Sequence, residues 1–191
     1  MNSSNRGVLV GYDGSSSSRD AVDWAARAAR EQGAVLTICH AWAPGYAGPP
    51  LEPEHDDLAR ASAQWILSTA KRIPDPAEVR QVLIEGSVAS VLCEQSAGAS
   101  VLVVGSRGLG GLSGLMLGSV SLQTAAFAHS PVVVVRGRWR PTGSYVPGHI
   151  VAGIDGSKAS TDVLDFAGTE AALRHVPLTA VCALAAGVGE V

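Results

Sequence analysis

Cysteine, charged residues and long apolar runs are all scarce in this chain of 191 residues. The three cysteines are scattered and odd in number, which excludes a complete disulfide framework and favours a reducing compartment. The net charge of −3 offers no broad attraction to nucleic acid or to an anionic membrane surface. The longest apolar run, near residues 178–188, is too short to span a bilayer.

The sequence also shows no sign of a secretion signal or of a metal site. The first residues lack the apolar core of a signal peptide, and the five histidines lack the spacing of metal ligands. Hydrophobic residues make up 47% of the chain and charged residues 16%, which is ordinary for a globular protein. We therefore expect a soluble, cytoplasmic protein with no metal site of its own side chains, no nucleic-acid partner and no membrane contact.

What the chain does have is a glycine-rich stretch between a buried strand and a helix. An apolar run ends at Gly105, glycine then recurs through a loop, and a helix is predicted from Ser119. Glycine lets backbone N–H groups approach an anion, and a helix N-terminus favours negative charge. The stretch therefore predicts a phosphate site, with Ser119 as N-cap and hydroxyl donor. A flexible surface loop beside a capped helix is the alternative.

The spacing of these glycines excludes two common phosphate-binding motifs. A P-loop has a lysine between its last glycine and the Ser or Thr that follows. In Leu117-Gly118-Ser119 the serine follows the glycine directly, so that lysine is absent. Ser113 stands where a dinucleotide fingerprint requires its third glycine. The pattern that is present is Gly105-x2-Gly108-x9-Gly118-Ser119.

Strands and helices alternate through the first 136 residues. Apolar runs predict strands at 7–12, 34–42, 79–85, 100–104 and 131–135, and helical periodicity predicts helices at 19–32, 54–72, 88–97 and 119–128. This alternation predicts an α/β domain, a doubly wound parallel five-stranded sheet with helices on both faces. Ligands bind such sheets at the carboxyl ends of the strands, where the winding reverses.

One helix carries a specific packing prediction. The stretch 54–72 is expected to bury an apolar stripe. Its predicted members are Leu58, Ala61, Trp65, Ile66 and Leu67.

The opening of the chain recurs near its end. Residues 8–15 (VLVGYDGS) match residues 150–157 (IVAGIDGS), and the register continues into the following helix and strand. We therefore predict a first domain at 1–136, a linker at 137–148 and a partial second β-α-β repeat at 149–191. Asp155, the counterpart of Asp13, has no glycine loop opposite it, so we expect it to serve only a turn.

The loop spacing and the hydrophobic-Gly-x-Asp-Gly-Ser opening together resemble the universal stress protein family. The resemblance covers the first domain and the start of the second, and it implies strand order 3-2-1-4-5. It also implies that ATP, with Mg²⁺, is the ligand, that a homodimer forms through the fifth strand, and that an unknown regulatory partner exists. The site residues taken from the loop and from this resemblance are Gly11, Asp13, Ala41, Gly105, Ser106, Arg107, Gly108, Gly110, Gly111, Gly118, Ser119 and Val120.

Two of these residues have their own chemical arguments. The carboxylate of Asp13 suits ribose hydroxyls or an adenine amine, and the alternative is a turn in which it bonds its own backbone. Arg107 suits phosphate oxygens, and the alternative is a solvated loop arginine. The resemblance implies that Asp13 contacts the nucleoside, that the backbone of His40 and Ala41 lines the adenine pocket, and that the glycine loop surrounds the phosphates.

Three functions are compatible with these features. The first is an ATP-binding regulatory protein of the stress response. The second is slow ATP hydrolysis or adenylyl transfer in the same pocket. No base, second acid or nucleophile stands out near the loop, which argues against efficient phosphoryl transfer. The third is an interaction module without nucleotide, in which residues 132–135 pair with another chain.

Overall fold

A computed structural model describes residues 6–43, 53–71, 78–108, 117–136 and 148–182. The chain divides into two compact units near residue 139. No helix in the described ranges is long and apolar enough to cross a membrane.

The first unit contains a parallel sheet of five strands. The strands are β1 (Gly7–Gly11), β2 (Leu36–Trp42), β3 (Val79–Glu85), β4 (Ala99–Gly105) and β5 (Val132–Val135). The helices between them are α1 (Ser16–Gln32), α2 (Pro53–Ser68), α3 (Val88–Ser96) and α4 (Ser119–Phe127), and a 3₁₀ turn at Thr69–Lys71 follows α2. The order is β3-β2-β1-β4-β5, which confirms the predicted doubly wound α/β fold and its strand order.

This order places the reversal of winding between β1 and β4, which pair directly. The chain moves from β1 through β2 to the edge strand β3, then crosses back to β4 and β5. A crevice is therefore expected at the carboxyl ends of those two strands.

The central strands β1, β2 and β4 are buried on both faces, as is typical of a parallel sheet. Successive residues along each strand point to opposite faces, so every central strand contributes to two apolar layers. Val8, Val10, Leu36, Ile38, Val101 and Val103 belong to one layer and are almost fully buried. Leu9, Cys39, Leu102 and Val104 belong to the other, where they pack with Val91 and Leu92 of α3.

The predicted stripe of α2 is wrong in part. Leu58 and Trp65 are 67% and 70% exposed, whereas Ala63, Leu67 and Ala70 are buried. The buried residues recur at intervals of four and three, which is the spacing of one helix face. Within α2 the buried residues are Ala63 and the predicted Leu67, the predicted Ala61 is exposed, and Ala70 lies in the 3₁₀ turn that follows.

Helix α1 begins earlier than the predicted start at Arg19. Ser15 is its N-cap, because the Ser15 hydroxyl oxygen accepts a hydrogen bond of 3.1 Å from the backbone N–H of Ser18. The cap is thus the first of the four consecutive serines at positions 15–18.

The second unit contains β6 (Ile150–Ile154), α5 (Ala159–Arg174) and β7 (Leu178–Cys182), and its two strands are parallel. This confirms the partial β-α-β repeat, while the domain boundaries stay a prediction. The Asp155 carboxylate accepts hydrogen bonds from the Ser157 N–H at 2.9 Å and the Ser160 hydroxyl at 3.0 Å. These hydrogen bonds lower the pKa of the Asp155 carboxyl to about 2, and those from Ser157 have the largest effect. Asp155 therefore has the turn role that we expected.

Candidate functional site

A cavity of about 560 Å³ opens at the carboxyl ends of β1, β2 and β4. Nine of the predicted site residues line it: Gly11, Asp13, Ala41, Gly105, Arg107, Gly108, Gly118, Ser119 and Val120. Gly110 and Gly111 lie outside the described residues. The cavity is thus the crevice expected at the reversal of winding.

Ser106 is the predicted site residue that the structure places behind the cavity wall. It is buried, its N–H donates to the Val135 carbonyl at 2.9 Å, and its carbonyl accepts from the Gly118 N–H at 2.8 Å. Ser106 therefore ties the start of the glycine loop to its end, a structural role that the motif does not reveal.

Asp13 lies against the start of the glycine loop. One of its carboxylate oxygens accepts a hydrogen bond of 3.0 Å from the Ser15 N–H, which closes a turn. The other oxygen lies 2.7 Å from the position that a Cβ atom on Gly108 would occupy. Both interpretations of Asp13 from the sequence are therefore compatible, because the turn holds one oxygen while the other faces the loop.

Gly105 brings the end of β4 into contact with the first turn of α1. A Cβ atom on Gly105 would lie 2.7 Å from the backbone carbonyl carbon and oxygen of Ser17. The Ser17 hydroxyl accepts from the Arg107 N–H at 3.3 Å, and the Ser121 hydroxyl donates to the Gly105 carbonyl at 2.7 Å. Sequence reasoning missed Ser17 and Ser121, because neither belongs to the glycine spacing.

The N-terminus of α4 forms the second backbone wall of the crevice. Gly118, not Ser119, is the N-cap, because the Gly118 carbonyl accepts the first helical bond, from Leu122 N–H at 3.0 Å. The prediction of Ser119 as the cap is therefore wrong. Gly118 has no side chain, so no side-chain cap occupies the first N–H groups of α4. Such groups have no intrahelical partner and attract anions.

Part of the crevice lining is apolar. Cys39, Val88, Leu92 and Val104 line it, and a Cβ atom on Gly11 would approach Leu92 to 2.9 Å. Burial raises the pKa of the Cys39 thiol from 9.0 to about 11, so the thiol stays protonated at neutral pH. These residues were missed as site residues because their approach to one another depends on how α3 packs on the sheet.

Ala41 presents its backbone to the crevice because β2 is longer than β1 on this side. The β1–β2 pairing ends at Gly11 and Cys39, whereas the β2–β3 pairing continues to Trp42 and Glu85. In a parallel ladder, the N–H and C=O of alternate residues point to the same neighbouring strand. Cys39 accepts from the Tyr12 N–H at 2.9 Å on the β1 side. The Ala41 N–H and C=O point to that same side, beyond the end of β1.

Fold and crevice together define a doubly wound α/β protein with an open crevice at the reversal of winding. The model of the universal stress protein family matches residues 4–136. The chain belongs to the universal stress protein family, as the sequence resemblance predicts.

Relatives and solved structures agree with this assignment. A universal stress protein of Mycolicibacterium smegmatis is 36% identical over 186 residues, which cover 92% of this chain and 63% of that protein. A universal stress protein of Mycobacterium tuberculosis is 33% identical over 201 residues, covering 93% and 62%. The chain thus spans less than two thirds of the length of these relatives. The crystal structure of a universal stress protein from Archaeoglobus fulgidus has the same fold, with a TM-score of 0.74 at 15% identity, over 96% of this chain and 69% of that one.

Proposed function

We propose that this chain binds ATP in the crevice and acts as a nucleotide-dependent regulatory protein of the stress response. The proposal rests on one observation. Two backbone segments, residues 105–108 and the start of α4, which has no side-chain cap, line the same cavity as Asp13. Small residues and free helix N–H groups are what a polyphosphate requires. Arg107, which is exposed and lines the same cavity, adds a positive charge for phosphate oxygens.

The apolar part of the crevice suits an adenine base. The Ala41 carbonyl would accept from the adenine amine, and the Ala41 N–H would donate to the unprotonated ring nitrogen beside it. Guanine carries the opposite pattern there, a carbonyl oxygen and a protonated nitrogen, so both contacts would be lost. The apolar wall of Val88, Leu92 and Val104 would pack on the flat face of the base.

Magnesium fits the crevice only as a companion of the phosphates. Asp13 is the one carboxylate among the described residues that line the cavity. The described ranges contain no cluster of three His, Cys, Asp or Glu side chains that could hold a metal ion. Mg²⁺ commonly takes one or two carboxylates and completes its shell with phosphate oxygens and water. Asp13 would therefore be the protein's contribution to an ion held mainly by ATP.

The base preference tests this proposal. We expect ATP to bind at least about tenfold more tightly than GTP, because one lost hydrogen bond with an unpaired partner is worth about 1.4 kcal/mol. Isothermal titration of the purified chain with each nucleotide, at constant Mg²⁺ and salt, measures the ratio. Equal affinities would show that the Ala41 backbone does not select the base. No binding of either nucleotide would refute the proposal.

We further propose that a second copy of the chain pairs along β5. This strand is one edge of the sheet and consists of four valines. Helix α4 beside it contains no charged residue and exposes Leu122 by 62% and Phe127 by 70%. Two copies can bring such helices together across a twofold axis without like-charge repulsion, and an unpaired edge strand is a template for another strand.

A charged substitution on α4 tests the dimer. Phe127→Glu should shift the protein from the mass of two chains to the mass of one. Each copy would place one carboxylate in the apolar contact between the two α4 helices. Leu58→Glu on α2 is the matched control, since Leu58 is also an exposed apolar side chain, at 67%. Light scattering after size-exclusion chromatography measures the mass. A monomeric wild type, or a dimer in Phe127→Glu, would contradict the proposal.

A further inference from the structure

The residue that links β1 to Asp13 is held at three points. The Tyr12 N–H donates to the Cys39 carbonyl at 2.9 Å, and the Tyr12 hydroxyl bonds the Thr69 hydroxyl at 2.8 Å. The third contact joins the Tyr12 carbonyl to Nδ1 of His40 at 2.6 Å. Tyr12 is 3% exposed, so these contacts fix the direction in which the chain leaves β1.

The third contact lies on the carbonyl that the next bond of a parallel ladder would use. After the bond from Tyr12 N–H to Cys39, a continuing parallel ladder would bond the Ala41 N–H to the Tyr12 carbonyl. The structure instead places the imidazole of His40 on that carbonyl. A carbonyl oxygen only accepts, so Nδ1 carries the proton. The ladder therefore ends one bond early, and the Ala41 N–H faces the crevice.

We infer that His40 is a positioning residue for base recognition. By donating to the Tyr12 carbonyl, His40 leaves the Ala41 N–H available to a base with an unprotonated ring nitrogen, which selects 6-aminopurines over 6-oxopurines. The same bond holds the backbone that leads into the Asp13 turn. The inference rests on the proposed function, since it names which group makes the crevice select adenine.

His40 itself is 9% exposed and lies on β2 between two residues whose backbone faces β1. Its own backbone pairs with Leu83 of β3. The side chain can therefore be changed without removing a hydrogen bond from the sheet.

Three substitutions separate positioning from packing. His40→Asn keeps an N–H donor at the place of Nδ1, because the amide nitrogen is also the second atom beyond Cβ. His40→Leu removes the donor, and His40→Gln moves it one bond further out. We expect wild type and His40→Asn to bind ATP at least about tenfold more tightly than inosine triphosphate. In His40→Leu and His40→Gln the ratio should fall to about two or less.

Amide hydrogen exchange in the ligand-free protein gives a second measurement that needs no nucleotide. In His40→Leu the Tyr12 carbonyl becomes available to the Ala41 N–H, so exchange at Ala41 should slow by at least about tenfold. Exchange at Ala41 in His40→Asn should match wild type. If His40→Leu does not fold, as judged by its thermal unfolding, His40→Gln provides the same two comparisons.

The two measurements distinguish failure of the inference from failure of the proposed function. If wild type binds no nucleotide but Ala41 exchange slows in His40→Leu, the ATP proposal fails and the positioning of Ala41 stands. If wild type prefers ATP and folded His40→Leu keeps both that preference and fast exchange at Ala41, the inference is overturned.

Discussion

Gly105→Ala is expected to lower the free energy of unfolding by about 3 kcal/mol and the midpoint of thermal unfolding by about 10 °C. The added Cβ would lie 2.7 Å from the backbone carbon and oxygen of Ser17. These atoms belong to the first turn of α1, so no side-chain rotation relieves the contact. Either α1 or the end of β4 must move, and both carry the crevice. We therefore expect ATP binding to be lost together with the stability.

The control for this substitution lies at the other end of β4. A Cβ on Gly98 would meet only the Gln95 carbonyl oxygen, at 3.9 Å, which is ordinary van der Waals contact. Gly98→Ala should therefore unfold within about 2 °C of wild type and bind ATP normally. Calorimetric unfolding of both variants makes the comparison. Equal midpoints for Gly105→Ala and wild type would show that α1 and β4 do not meet as described.

Gly108→Ala is expected to weaken ATP binding at least about tenfold with little change in stability. Its Cβ would lie 2.7 Å from a carboxylate oxygen of Asp13. Unlike the backbone of Ser17, this oxygen is the end of a side chain and can rotate away. The fold is then kept, but the carboxylate leaves the place where it would meet the nucleoside.

A double-mutant cycle identifies the cause of that loss. If Gly108→Ala acts through Asp13, the variant that combines it with Asp13→Ala should bind no more weakly than Asp13→Ala alone. Titration calorimetry on the four proteins gives the coupling energy. Fully additive losses would mean that the methyl group blocks the ligand directly and that Asp13 acts independently of the loop.

Part of this site could be predicted because its chemistry is local. Gly105, Gly108 and Gly118 stand at fixed distances along the chain, and the need for small residues beside phosphate is visible in the letters alone. Asp13 follows a short apolar run, so its place at the end of a strand needs no tertiary information. The strand order came from the family resemblance and not from the pattern of residues.

The rest depends on distances that no local pattern contains. The role proposed for Ala41 depends on β1 ending two residues short of the matching point on β2. Ser119 was predicted as the cap because serine is a good cap residue, yet the backbone turns one residue earlier, at Gly118. Trp65 was placed in the core for its size, but α2 buries Ala63 and Leu67 instead.

The most direct test of the account is an X-ray structure of this chain crystallised with ATP and Mg²⁺. We predict electron density for the adenine ring beside the Ala41 backbone and for the phosphates between residues 105–108 and the start of α4. Nucleotide bound at any other place, or a crevice that stays without nucleotide at saturating ATP, would contradict it.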